Sequence, residues 1–239
     1  MEKKTEIAVK EETALAQSTG RGRGFEEPTA KEDLIIPRAK LFQGLPSEYD
    51  KYPDAKPGQI LNSITKELLP SEFIPIFKFT NWVRFNPRNK EDRGFDPNAA
   101  PGAVIWRTND PHDPRVEAEG KFGPNGEPPL ATKFLNFFSV FPGCPMPVVV
   151  SFSKTSFKAG KQLLSIAQFS GGDMFGKKYA LGSKKESGDS GSYYVLTVTP
   201  SGIVDGDLFK QAERLFDEFA TKPIKVDEEH VADEEPAPF

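Results

Sequence analysis

The stretch EFIPIFKFTNWVRFN, residues 72–86, decides the fold class, because apolar residues alternate in it with other residues. A period of two is typical of a β-strand that has one face in a core. The core face would carry Phe73, Phe77, Phe79, Val83 and Phe85. The opposite face would carry an aromatic ring between cations, in the set Lys78, Thr80, Trp82 and Arg84. Because Pro75 cannot donate a ladder hydrogen bond, the strand should begin at a sheet edge or contain a bulge there.

Further strands are predicted on both sides of this stretch, at residues 59–65, 104–108, 131–141, 146–153 and 193–199. Helical spacing of apolar residues appears at 154–168 and 205–220. The second helix has a stripe of Leu208, Phe209, Ala212, Leu215, Phe216 and Phe219. Residues 171–192 are rich in Gly, Lys and Ser, and we expect them to be mobile.

This order of elements predicts a mainly β domain with a minor helical part. An OB-fold-like barrel with long loops, an inserted helix before its last strand and a C-terminal helix fits the order. A β-sandwich with one packed helix is the alternative, and counting strands does not separate the two. The predicted organisation is a disordered arm at 1–32, one OB-like domain at 33–222 and a disordered acidic tail at 223–239.

Composition narrows the class of protein. A single cysteine among 239 residues, Cys144, excludes an intramolecular disulfide and fits a reducing compartment. The sequence contains no apolar run of membrane-spanning length, and its start is charged. We therefore expect a soluble cytoplasmic protein without a membrane partner.

Catalytic motifs are weak. The run GGDMFGK at 171–177 matches the first seven positions of a phosphate-binding loop, but Lys178 replaces the hydroxyl residue that would hold Mg²⁺. Asp110, His112 and Asp113 lie in a Pro-rich segment, where such residues are usually solvated. Cys144 has no His or basic neighbour in sequence. The sequence therefore predicts neither an enzyme nor a metal site, and no cofactor.

Basic charge is concentrated in one part of an acidic chain. Between Lys133 and Lys185 there are eight lysines and one acid, Asp173. A basic groove with aromatic faces binds single strands without sequence preference. The predicted nucleic-acid contacts are Lys78, Trp82, Arg84, Trp106, Arg107, Lys133, Lys154, Lys158, Lys161, Lys177, Lys178 and Tyr193. The alternative is core packing for the tryptophans and a solvated surface for the lysines and arginines.

The last residues, VDEEHVADEEPAPF at 226–239, contain six acids and no Lys or Arg. Their end, Asp233-Glu-Glu-Pro-Ala-Pro-Phe239, resembles the C-terminal tip of bacterial and phage single-stranded-DNA-binding proteins. That resemblance implies a tail that recruits replication or recombination proteins through Asp233, Glu234, Glu235 and Phe239, and that competes with DNA.

The leading hypothesis is a phage single-stranded-DNA-binding protein for DNA replication or recombination, either monomeric or a homodimer, which acts in the cytoplasm of the host cell. The alternative is a phage structural or assembly protein, a virion component or scaffold, in which Phe209, Phe216 and Phe219 form an oligomer interface. Binding to RNA by the same surface is a third hypothesis.

Overall fold

The computed structural model of the protein describes residues 34–188, 191–221 and 226–227. Within them the strands are β1 (Ala39–Leu41), β2 (Ile60–Asn62), β3 (Glu72–Phe85), β4 (Val104–Thr108), β5 (Ala131–Val140), β6 (Val148–Phe152), β7 (Lys177–Gly188) and β8 (Gly191–Ile203). The α-helices are α1 (Pro46–Tyr49), α2 (Pro114–Glu119), α3 (Phe157–Phe169) and α4 (Gly206–Phe219). Short 3₁₀ turns occupy Lys154–Ser156 and Met174–Gly176.

The main sheet is antiparallel and has six strands. Its order is β6-β5-β3-β7-β8, and β4 pairs with the end of β3. β1 and β2 form a separate two-stranded ribbon. The prediction of a mainly β protein is thus confirmed. The described strands do not close into a barrel, so the OB-fold-like barrel is not confirmed.

The long strand β3 contains the bulge that Pro75 predicts. Its register with β5 shifts between Pro75 and Phe77, so that Ile74 lies opposite Val140 and Phe77 opposite Phe138. Such an extra residue moves the side chains that follow it to the other face of the sheet. Ile74, Phe77 and Phe79 therefore share one face. The prediction that Phe73 lies with Phe77 and Phe79 is wrong, because Phe73 packs in the core on the opposite face.

The first core lies between the sheet and α3. Leu163 of α3 is fully buried there together with Phe137, Phe152 and Tyr179 of the sheet. The β1–β2 ribbon adds apolar residues to the same core. Gly160 is the point of closest approach, because a Cβ at this position would lie 2.7 Å from Cβ of Phe152.

The second core lies between the opposite face of the sheet and α4. The ring of Phe219 lies 5.4 Å from that of Phe138, and the ring of Phe209 lies 5.2 Å from that of Phe175. Phe216 packs 5.7 Å from Phe175 and keeps 40% of its surface exposed. The predicted apolar stripe of α4 therefore packs against its own sheet.

The structure of residues 177–188 differs from the prediction that 171–192 are mobile. The composition of the Gly- and Lys-rich segment 171–192 predicts mobility, but the segment contains the twelve-residue strand β7. β7 pairs along its whole length with β8, and its Tyr179 and Leu181 enter the first core. Two apolar residues at a spacing of two are enough to fix one face of a strand when a long neighbour supplies the ladder.

Residues 226–227 lie against the body of the protein. Val226 is buried and pairs with Ile36 in a parallel bridge, and the backbone N–H of Asp227 donates to the carbonyl of Ile36 at 2.9 Å. Arg38 donates to the carbonyl of Asp227 and, at 2.7 Å, to the hydroxyl of Ser151. Most of the predicted arm at 1–32 and tail at 223–239 lies outside the described residues, including Asp233, Glu234, Glu235 and Phe239.

The close approach at Gly160 predicts the sign of a stability change. In an exposed helix, Gly→Ala usually stabilises a protein by about 0.5–1 kcal/mol. Here Gly160→Ala should instead lower the free energy of unfolding by about 1–3 kcal/mol, because the methyl group would overlap the Phe152 side chain. Urea unfolding followed by circular dichroism measures the difference.

Ser165→Ala on the exposed face of α3 is the matched control and should change stability by less than about 0.5 kcal/mol. A stabilising effect of Gly160→Ala would show that α3 does not approach β6 this closely.

The bridge between Ile36 and Val226 predicts a difference between two truncations. A chain lacking 226–239 should be less stable than one lacking 228–239 by about 1.5–3 kcal/mol, because it gives up the burial of Val226 and the hydrogen bonds of Asp227. Equal thermal midpoints for the two truncated chains would contradict the docking of these residues.

Candidate nucleic-acid interface

Trp82 and Lys133 form the centre of the candidate site. They are direct partners across β3 and β5, so their side chains project from the same face of the sheet, the face that also carries α3. The Lys133 ammonium lies 5.1 Å from the centroid of the Trp82 ring. Trp82 itself is only 7% exposed, so the lysine and its neighbours cover most of the indole.

The first turn of α3 extends this arrangement. The ammonium of Lys133 lies 6.0 Å from the ring of Phe157, and that of Lys161 lies 5.2 Å from the same ring. Phe157 and Lys161 are four residues apart, which brings them together on one helical face. Trp82, Lys133, Phe157 and Lys161 thus alternate ring and cation, and we call them the cation–aromatic row. Each such contact contributes about 0.5–1 kcal/mol at an exposed site.

A second cluster adjoins the row at the end of β3. Arg84 lies opposite Trp106 across β3 and β4. The Trp106 indole N–H donates to Oε2 of Glu119 at 2.8 Å, and the same oxygen lies 3.5 Å from Nε of Arg84. Arg84 also donates to the carbonyls of Phe85 and Gly94 and is buried. Its guanidinium therefore already has acceptors within the protein.

The short helix α2 brings a further cation to Trp106. Asp113 caps α2 by accepting the backbone N–H of Arg115 at 2.9 Å, and its carboxylate pairs with the Arg115 guanidinium at 2.7 Å. The side-chain hydrogen bonds from Arg115 hold the pKa of Asp113 well below its usual range. The Arg115 guanidinium in turn lies 5.0 Å from the centroid of the Trp106 ring.

The structure does not bring every predicted contact residue to this face. Arg107 lies opposite Val83 and therefore projects from the other face of the sheet, where burial lowers the pKa of its guanidinium. Lys178 lies 3.9 Å from Glu72, and Lys177 donates to the carbonyl of Ser170. Tyr193 lies opposite Glu186, near the end of the β7–β8 hairpin.

Three other predicted residues, Lys78, Lys154 and Lys158, lie on or directly before the elements that carry the row. Lys78 is exposed and shares the face of Trp82, four residues earlier on β3. Lys154 precedes α3 in a 3₁₀ turn with φ +45°, so that Lys158 and Lys161, but not Lys154, belong to the α-helix. The predicted lysine stripe is thus shorter than its spacing indicates.

Sequence reasoning misses Phe157, Arg115 and Glu119 as parts of this site. The spacing of four residues between Phe157 and Lys161 indicates that the two side chains share a helical face. Helical periodicity alone, however, assigns Phe157 to the apolar face of the helix, which packs in the core. Arg115 and Glu119 lie in a Pro- and Gly-rich excursion, where no periodicity marks the helix α2.

The possible metal ligands at 110–113 form local hydrogen bonds, and the Cys144 thiol is partly buried. Asp110 accepts the backbone N–H of His112, and Asp113 caps α2. Burial raises the pKa of the Cys144 thiol, and the charge of Glu67 raises it further. Within the described ranges, no group of three or more His, Cys, Asp or Glu residues could hold a metal ion. None of the helices described is both long and apolar enough to span a membrane.

The fold and this face define a mainly β protein that displays cations and aromatic rings on one side of an antiparallel sheet. The family model described as Pam3 phage gp34-like protein matches residues 3–225. The chain belongs to this family of phage proteins, which supports the expected phage origin. No curated protein matches the chain, and no solved structure matches it.

The contact between Lys133 and Trp82 predicts that the lysine shields the indole from solvent. Replacing Lys133 with Ala removes the ammonium and the aliphatic stem above the indole. Quenching of intrinsic fluorescence by acrylamide should increase, and the emission should shift to longer wavelength. Because the chain has only two tryptophans, the signal is easily assigned. Lys78→Ala is the control on the same face of β3, and an equal change in both variants would contradict this packing of Lys133 on Trp82.

Proposed function

We propose that the face carrying the cation–aromatic row binds single-stranded DNA without sequence preference. The observation that carries the proposal is the alternation of Trp82, Lys133, Phe157 and Lys161, with each cation 5.1–6.0 Å from a ring. Phosphates need cations along their path, and unpaired bases need aromatic faces, whichever base they are. A structure that supplies both on one surface suits an extended strand better than a duplex, whose bases are already stacked.

The residues beside the row support the same interpretation. Lys158 on α3 and Lys78 on β3 add positive charge on this side of the sheet. Phe157 is partly exposed, so a base can approach it without displacing the core. Stacking of a base on an aromatic side chain contributes about 1–3 kcal/mol.

The biological role that we propose is phage DNA replication or recombination. The acidic tail would recruit other proteins through Asp233, Glu234, Glu235 and Phe239 and would compete with DNA. This part of the proposal is supported by the sequence of the tail and its resemblance to single-stranded-DNA-binding proteins. We also propose, from the order of its strands and helices, that the domain is related to the OB fold. A phage assembly protein is the alternative, and titration with DNA separates the two.

Titration of the intrinsic fluorescence with oligo-dT tests the proposal. The full chain and a chain lacking 228–239 should both bind at low salt, more tightly than they bind a matched duplex, and the affinity should fall as salt rises. Oligo-rU in parallel distinguishes DNA from RNA. No binding by either chain, together with a large stable oligomer, would favour the assembly protein.

Matched variants locate the surface. Lys133→Ala and Lys161→Ala should each weaken oligo-dT binding by roughly two- to tenfold and lower the salt slope, by about 0.7 for each phosphate that is no longer neutralised. Lys210→Ala is the control, because this exposed lysine lies on α4, across the sheet from the row. Equal weakening of binding in all three variants would show that binding depends on net charge and not on the row.

A further inference from the structure

An acidic segment covers the part of the site that contains both tryptophans. Residues 110–121, which we call the acidic cap, include α2 and carry Asp110, Asp113, Glu117 and Glu119 against two bases, Arg115 and Lys121. A segment of net negative charge thus lies on a surface whose other charged members, Arg84, Lys133 and Lys161, are cations. An anionic ligand of this surface would meet the cap.

Glu119 makes the closest contacts of the cap with the site. One carboxylate oxygen accepts the indole N–H of Trp106 at 2.8 Å and lies 3.5 Å from Nε of Arg84. A phosphate oxygen on this surface would accept hydrogen bonds from the same two groups, the indole N–H of Trp106 and Nε of Arg84, because both donors suit an anionic acceptor. Glu119 is one-third exposed, so solvent and ligands can reach it.

The cap also contacts both tryptophan rings. Gly120 lies against the edge of Trp82, because a Cβ added to it would be 3.4 Å from Cδ1 of the indole. Arg115 lies over the ring of Trp106 at 5.0 Å. Both tryptophan rings of the site are therefore in contact with the cap.

We propose that the acidic cap is an intramolecular competitor, which occupies the tryptophan end of the site and is displaced when single-stranded nucleic acid binds. The inference rests on the proposed function and adds a regulation that resides in the folded domain itself. Displacement requires little unfolding, because α2 has only six residues and Val116 is the one residue of α2 that is buried. Short segments with few buried side chains open at low cost.

Two carboxylates on α2 provide a matched test. Glu119→Gln removes the charge that faces Arg84 and keeps an acceptor for Trp106. Glu117→Gln removes the same charge from a side chain that is 74% exposed and forms its ion pair with Lys121, one turn further along the chain. At low salt, Glu119→Gln should bind oligo-dT about two- to fivefold more tightly than Glu117→Gln, the change expected when a partly exposed ion pair is removed.

The outcomes separate the two proposals. Tighter binding by Glu119→Gln alone supports the cap, and it does so even if the wild-type chain binds too weakly to measure. Binding by all three proteins with equal affinity overturns the cap and leaves the proposed function in place. Absence of binding by all three overturns both. Circular dichroism and the thermal midpoint show whether either variant is misfolded.

Hydrogen exchange tests the same idea in the unmodified chain. The N–H of Gly120 donates to the carbonyl of Val116 at 2.9 Å, and this bond closes the helix. If the cap is displaced, exchange in residues 114–121 should become faster when oligo-dT is added, whereas most binding sites become protected. Slower exchange in this segment on addition of oligo-dT would mean that α2 closes over the strand, and the competitor would be excluded.

Discussion

The extra residue in β3, at the register shift between Pro75 and Phe77, determines which side chains lie on each face of the sheet. Before the shift, Phe73 packs in the first core; after it, Phe77 and Phe79 pack on α4. The same shift places Lys78, Trp82 and Arg84 on the side of α3. Without it, one of two changes would follow. Either Phe73 would leave the first core, or Phe77 and Phe79 would leave the α4 core and Trp82 would lie on the opposite face from Phe157. A single backbone irregularity therefore couples core packing to the position of the candidate site.

The two faces of the sheet also differ in the polar and charged side chains that lie outside the two apolar cores. On the face of α3, the apolar pairs of the core give way along β3 and β5 to the pair of Trp82 and Lys133. On the other face, Asn81, Asn136 and Ser151 form a hydrogen-bonded chain with distances of 2.7 Å. Arg38 completes that chain and also contacts Asp227. The satisfied polar chain is part of the folded interior, whereas the cation–aromatic row reaches solvent through Phe157 and the lysines.

The sequence predicts the structure well in segments where apolar residues follow a single period, that of a strand or that of a helix. The alternation in β3 assigns Lys78, Trp82 and Arg84 to one face, and the apolar stripe of α4 identifies the helix that packs on the sheet. It misplaces Phe73, because alternation carries no information on a residue inserted within a strand. It misses β7, because Tyr179 and Leu181 are flanked by glycines and lysines and the pairing comes from β8. The contacts of Glu119 and Arg115 with the tryptophans depend on a loop that returns to the sheet, and nothing local in the sequence specifies that return.

The proposed function requires single-stranded DNA to lie on the face of α3, across the cation–aromatic row. Ultraviolet cross-linking of the full chain to oligo-dT, followed by identification of the linked peptides by mass spectrometry, tests it most directly. The account predicts cross-links at Phe157 and at Trp82 or Trp106, and none in α4. Cross-links confined to α4 or to the end of the β7–β8 hairpin would place the strand elsewhere and contradict the account.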